Sequence, residues 1–84
     1  MSFKYGDTVL LVRNTRNGRN AAYDRVKKGV ISRYMVNWVR DDRPYMDLRF
    51  ISPKTGKATS AIYIIPKEDV VHEKLNEKVL EDYL

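Results

Sequence analysis

The run of residues 45–51 alternates between apolar and polar side chains, and this period of two constrains the fold more than any other feature. One side of the run consists of Met46, Leu48 and Phe50, and the other of Asp47 and Arg49. Such alternation is typical of a half-buried β-strand. Residues 52–57 contain a Pro and a Gly that suit a tight hairpin, and residues 59–65 predict the return strand. The chain is therefore expected to be built on antiparallel β-sheet.

Other apolar runs in the chain are short and are separated by turn residues. Strands are predicted over residues 8–13 and within the long run 26–39, which needs a bulge at Gly29 or around residues 33–35. One 3₁₀ turn is predicted over residues 66–69, followed by a short closing strand. Closing the sheet on itself would remove exposed strand edges, which matters in a chain of 84 residues. The pattern thus predicts a mainly β fold, a five-stranded small barrel.

Beyond residue 70 the apolar period changes from two to about four. Val71, Leu75, Val79 and Tyr83 are spaced four residues apart, which predicts an amphipathic helix over residues 73–84. Two roles remain open for this C-terminal helix: it caps the barrel, or it docks on a partner. In the second case the partner-binding residues would be Leu75, Val79 and Tyr83.

The order of these parts resembles the SH3-like small barrels, a group that includes the Tudor-like and KOW domains. A Gly-Asp-x-Val opening at residues 6–9 and a Lys-Gly-x-Ile sequence at residues 28–31 are similar to the KOW pattern. The Ile-Pro-x-x-x-Val-Val sequence of residues 65–71 is similar to the usual 3₁₀ turn and closing strand. The resemblance implies a barrel domain over residues 1–72 and a tendency to bind nucleic acid, although such barrels also bind peptides and proteins. The chain departs from KOW elements in the longer gap between the first two motifs and in lacking a second glycine pair.

Charge is distributed unevenly along the chain. Residues 1–67 hold fourteen Lys and Arg against five Asp, whereas residues 68–84 hold two Lys against six acidic residues. A basic body next to an acidic tail favours a surface that faces a polyanion.

The candidate nucleic-acid-binding residues lie mostly in an Arg-rich loop, residues 13–33. Arg can bind phosphate through two hydrogen bonds and can stack on bases, whereas interleaved aromatic rings can stack on single strands. Trp38 is expected in the core, and Tyr23, Tyr34 and Tyr45 are expected nearer the surface. The candidates are Arg13, Arg16, Arg19, Arg25, Lys27, Lys28, Arg33, Tyr34, Arg40 and Arg43.

No arrangement typical of catalysis is visible, and the chain is not expected to be an enzyme. His72, the single histidine, has no partners at metal-ligand spacing, and the neighbouring pair Asp41 and Asp42 belongs to a turn. No cofactor or metal is therefore expected. The absence of cysteine and of a signal or membrane-spanning segment favours a cytoplasmic protein.

The sequence indicates two possible functions. The first is a nucleic-acid-binding barrel that contacts DNA or RNA phosphates through the Arg-rich loop with little sequence specificity. The alternative is a protein-interaction module, such as a phage-encoded regulator or inhibitor of a larger nucleic-acid-processing protein. Either protein could be a monomer or a homodimer.

Overall fold

Five antiparallel strands form one open sheet in the computed structural model, which describes residues 2–15 and 21–73. The strands lie in the order β4-β3-β2-β1-β5, so β4 and β5 are the two edges. A short helix and one 3₁₀ turn complete the described elements. Their bounds are β1 (Thr8–Leu11), α1 (Ala21–Lys27), β2 (Ser32–Val39), β3 (Tyr45–Ile51), β4 (Ala58–Pro66), the 3₁₀ turn Lys67–Asp69 and β5 (Val70–His72).

The hairpin of β3 and β4 forms where the alternating pattern predicts it. The bounds of β3 agree with the predicted strand, and β4 is one residue longer at each end. Gly56 has a φ of +70°, which an L side chain rarely adopts, and its N–H donates to the carbonyl of Ser52 at 2.8 Å. The turn predicted over residues 52–57 and the positive φ predicted for its Gly are thus confirmed.

The core lies on one face of the sheet. Side chains from all five strands meet there, and Phe3 and two residues of α1 pack against them. Because the helix and the N-terminal segment cover this face, the core is buried without hydrogen-bonded closure of the sheet. The closed barrel predicted from the sequence is therefore replaced by an open sheet. The buried cluster comprises Phe3, Val9, Leu11, Ala22, Tyr23, Tyr34, Val36, Met46, Leu48, Ile65 and Val70.

The segment before β2 is a helix and a turn rather than the predicted strand. Val26 and Lys27 lie in α1, and the N–H of Gly29 donates to the carbonyl of Val26 at 3.0 Å. Gly29 has a φ of +76° and follows the helix, as a glycine often does at a helix end. A helix of seven residues is too short to show a clear period, which explains why the sequence did not reveal it. The bulge of β2 lies between Val36 and Trp38, away from both predicted positions.

The predicted C-terminal helix falls almost wholly outside the described residues. Only Glu73 of its range 73–84 is described, and Leu75, Val79 and Tyr83 are not. Val71, the first residue of the predicted apolar stripe, belongs to β5 and is paired with Leu10 of β1. The closing strand therefore extends to His72, one residue further than predicted.

Candidate functional site

A cleft of about 210 Å³ lies where the end of α1 meets the start of β2 and the hairpin between β3 and β4. We call it the basic cleft. Apolar side chains form most of its wall, and two guanidinium groups lie beside them. The lining residues are Arg25, Val30, Ile31, Ser32, Arg33, Phe50, Ile51 and Pro53.

Arg25 is the cation placed deepest in the basic cleft. Its Cζ lies 4.2 Å from the centroid of the Phe50 ring, a distance at which the guanidinium is attracted to the aromatic face. Its Nη1 is buried and has no hydrogen-bond partner among the described residues. Arg25 also interacts with the hydroxyl of Tyr34, and this interaction acts to lower the pKa of Tyr34.

Tyr34 lies beneath the cleft as part of the core. Its side chain is 0% exposed, and its ring makes edge contacts with Phe50 at 5.7 Å and Tyr63 at 6.0 Å. Burial raises the pKa of the Tyr34 hydroxyl, with Ser32 and Arg25 acting in the opposite direction. The Tyr34 ring therefore packs against Phe50, and the guanidinium of Arg25 lies over the Phe50 ring.

The sequence-based placement of the aromatic residues is corrected at three positions. Tyr23 and Tyr34 were expected at the surface and are both buried, so neither ring is available for base stacking. Trp38 was expected in the core but is 38% exposed and stacks on Tyr45 at a centroid distance of 6.3 Å. The cause is the bulge after Val36, which shifts the alternation of β2 so that Trp38 faces away from the core.

Exposed cations lie in both chain segments that contribute residues to the basic cleft. Lys27 and Lys28 lie at the end of α1, and Lys54 and Lys57 lie in the hairpin that contributes Pro53 to the cleft. Arg33 is also exposed, and its guanidinium forms a 2.8 Å ion pair with Glu73. The described residues therefore bring cations from two distant parts of the chain to one end of the sheet.

The sequence did not identify the two hairpin lysines as site residues. Residues 52–57 contain two Lys and no acid, which is a visible signal of positive charge. Their hairpin comes near α1, with Pro53 and Arg25 lining one cleft, through the pairing of β2 with β3, in which Tyr34 is opposite Phe50. Phe50 was likewise read only as a strand residue.

The predicted basic residues that the structure describes do not form one surface. Those outside the basic cleft lie around the 3₁₀ turn, where Arg13 Nε donates to the carbonyl of Glu68 at 2.7 Å and Lys67 Nζ donates to the carbonyl of Arg40 at 2.7 Å. Acidic side chains are interspersed there, and Arg40 pairs with Asp42 at 2.9 Å. Arg43 is exposed on the same turn between β2 and β3, whereas Arg16 and Arg19 lie outside the described residues.

Asp69 contacts two described parts of the Arg-rich loop, one before residue 16 and one after residue 20. Its carboxylate is fully buried, Oδ1 accepts hydrogen bonds from Thr15 Oγ1 at 2.6 Å and Thr15 N at 3.1 Å, and Oδ2 accepts one from the Tyr23 hydroxyl at 2.9 Å. The sequence placed Asp69 only in the predicted 3₁₀ turn of residues 66–69. Asp69 instead fixes the chain before residue 16 and after residue 20.

His72 is held in a structural contact. Its Nε2 lies 3.1 Å from Asp7 Oδ2, and its ring stacks on Phe3 at a centroid distance of 4.4 Å. The pKa of Asp7 is lowered, first by the hydrogen bond from the backbone N–H of Lys4 and also by His72. These contacts tie the N-terminal segment to β5.

Comparison of the chain with protein-family models, with curated proteins and with solved structures finds no match in any of the three. Within residues 2–15 and 21–73, no helix is long and apolar enough to cross a membrane.

Proposed function

We propose that this protein binds nucleic acid through the basic cleft and the cations around it, contacting phosphates with little sequence preference. The observation that supports this most is the charge around the cleft. The two segments that line the cleft, residues 24–33 and 50–57, together with Glu73, which pairs with Arg33, hold six cationic side chains against two acidic ones: Arg25, Lys27, Lys28, Arg33, Lys54 and Lys57 against Asp24 and Glu73. A concentration of Lys and Arg on one side of a small domain is the electrostatic footprint of phosphate binding.

The composition of the cleft supports a single strand over a duplex. A planar guanidinium over an aromatic ring, next to an apolar wall, can accommodate an unstacked base, while the surrounding lysines contact the phosphates on either side. A base inside a duplex is stacked between its neighbours and cannot enter such a cleft. We therefore expect single-stranded DNA or RNA to bind more tightly than a duplex of equal length.

A protein-interaction module is the second candidate. The apolar residues of the cleft, among them Val30, Ile31 and Phe50, favour insertion of an apolar side chain from an acidic peptide. In this reading the cations steer an acidic partner, such as a larger nucleic-acid-processing protein, toward the cleft. Both candidates fit a protein of the cytoplasm, as proposed from the absence of cysteine.

The test is binding of short fluorescent DNA and RNA, single- and double-stranded, measured by anisotropy from about 50 to 200 mM salt. We expect tightest binding to a single strand, with affinity falling steeply as salt increases. Replacing both lysines at the end of α1, K27Q with K28Q, should lower the slope of log affinity against log salt by up to about two.

The matched control is R40Q with R43Q, which removes the same charge at the other end of β2 and β3. This control should leave the slope closer to that of the unmodified protein. Equal losses in the two double variants would mean that net charge, and not the basic cleft, causes binding. No binding at the lowest salt would overturn the proposal, and an acidic peptide that binds the same protein would then support the second candidate.

A further inference from the structure

The face of β2, β3 and β4 that points away from the core carries a cluster of exposed apolar side chains around two charges. We call it the outer face. Its apolar members are exposed to an unusual degree, with Trp38 at 38%, Ile62 at 49% and Ile64 at 59%. Adjacent exposed apolar residues of this size are typical of an interaction surface. The outer face consists of Met35, Trp38, Asp47, Arg49, Ile62 and Ile64.

Strand register arranges these six residues in two rows. The first row is Trp38, Asp47 and Ile64, and the second is Met35, Arg49 and Ile62. Each row therefore has a charged residue of β3 in the middle and an apolar residue on each side. Along β3 the two charges are opposite in sign and two residues apart, on the same side of the strand.

Neither charge has a counterion within the described residues. The ion pairs found there involve other side chains. Nε of Arg49 is buried and has no hydrogen-bond partner among the described residues. Asp47 is half-buried beside exposed apolar groups. An acidic acceptor opposite Arg49 and a basic donor opposite Asp47 would complete the surface.

We propose that the partner on the outer face is a second copy of this chain, related by a two-fold axis that crosses β3 at the level of Leu48 and lies between the two sheets. Such an axis reverses the strand direction in the second copy. Asp47 of each protomer then faces Arg49 of the other, which makes two reciprocal ion pairs. An interface of this kind is self-complementary, as a two-fold dimer requires.

The same operation matches the apolar residues on both flanks. Ile64 comes opposite Ile62 of the second copy, and Trp38 comes opposite Met35. Stacked sheets are about 10 Å apart, which leaves room for these side chains to interdigitate. A two-fold axis parallel to the strands would instead place like charges opposite each other, so electrostatics selects the first arrangement.

Affinity and orientation have different sources in this dimer. Burial of the apolar flanks supplies the favourable free energy, because pairing two charges away from water is nearly balanced by the cost of desolvating them. The charges instead penalise every other orientation. Phe50, whose ring lies in the basic cleft, is on the core-facing side of β3, opposite to Asp47 and Arg49, so a dimer formed through the outer face would not cover this ring.

The experiment is sedimentation equilibrium on the full chain and on two charge reversals, D47R and R49D. The unmodified protein should dimerise as its concentration is raised over a roughly hundredfold range. Each reversal alone makes the centre of the outer face like-charged and should abolish dimerisation. Mixing D47R with R49D should restore it, because each then faces the opposite charge in the other.

Circular dichroism of each reversal checks that its fold is retained. If either reversal fails to fold, the proposal is tested by comparing the unmodified protein with W38K. W38K changes an exposed side chain of the outer face, so this variant should fold and should remain monomeric. The proposal is overturned if the unmodified protein is monomeric throughout. It is also overturned if both reversals dimerise as before, which would indicate pairing through the free edge of β4.

Discussion

The hydroxyl of Tyr23 in α1 donates a 2.9 Å hydrogen bond to Oδ2 of Asp69, a residue forty-six positions later in the 3₁₀ turn. Both side chains are buried, with Tyr23 at 2% and Asp69 at 0% exposure. The same carboxylate binds Thr15 through its other oxygen. Asp69 thus joins the segment that follows β1, α1 and the 3₁₀ turn at one point, and we expect the position of α1 to depend on it.

Removing the hydroxyl in Y23F should lower the free energy of unfolding by about 1–3 kcal/mol, because it removes a hydrogen bond to a buried acceptor. Urea unfolding measured by circular dichroism checks the value. Y45F removes a hydroxyl from a half-buried ring and serves as control, with an expected change within about 0.5 kcal/mol. Equal effects of the two variants would show that the contact with Asp69 contributes nothing measurable.

Shortening a central core residue should be more damaging than shortening an exposed one. Leu48 is fully buried in β3 among residues of the core cluster, so L48A should cost about 2–5 kcal/mol through lost burial and a residual cavity. S60A on the exposed part of β4 should change stability by less than about 0.5 kcal/mol. The two variants are compared by their urea midpoints, provided that the unfolding free energy has the same dependence on urea concentration in both.

Stability should fall at alkaline pH because of Tyr34. Burial raises the pKa of this hydroxyl in the folded protein above the ordinary value of 10.0, so the unfolded chain releases the proton first. The contribution to stability is therefore complete below pH 10.0 and is lost as the pH rises toward the folded pKa. In Y34F the alkaline decline should be shallower. A decline of unchanged steepness in this variant would assign it to other groups.

At acid pH, the group expected to make stability depend on pH is Asp7. Its pKa is lowered in the folded protein, first by the backbone N–H of Lys4, so its contribution is present above the ordinary value of 3.8 and is lost as the pH falls through the folded pKa. D7N should therefore be less stable than the unmodified protein at neutral pH, and the difference should shrink on acidification. D41N, in an exposed turn, is the control and should show no such convergence. A difference for D7N that stays constant with pH would contradict the prediction.

Strands could be predicted where neighbouring residues alone determine the backbone conformation. Residues 45–57 combine a period of two with a Pro and Gly turn, and the structure follows this prediction closely because pleat and turn are local properties. The bulge after Val36 was not predictable in the same way. It changes the alternation of β2 from Trp38 onward, so Trp38 faces away from the core, whereas Tyr34 precedes the bulge and is buried on the same side as Val36.

The candidate site was predictable only in part. Arg25, Lys27, Lys28 and Arg33 were identified from the density of positive charge, and the structure describes them near one end of β2. Arg13, Arg40 and Arg43 had the same signal in the sequence but lie around the 3₁₀ turn. Charge density along a chain does not reveal which residues share a surface, because that depends on strand pairing.

The β-rich class of the fold, the main hairpin and the excess of positive charge could all be predicted from the sequence, since each follows from the identity of neighbouring residues. Other features depend on tertiary contacts. These are the helix of seven residues where no period is visible, the burial of Asp69, and the position of the hairpin of Lys54 and Lys57, whose Pro53 lines the same cleft as Arg25 of α1. These outcomes depend on contacts between residues far apart in the chain, and their free energies are not encoded in any local pattern.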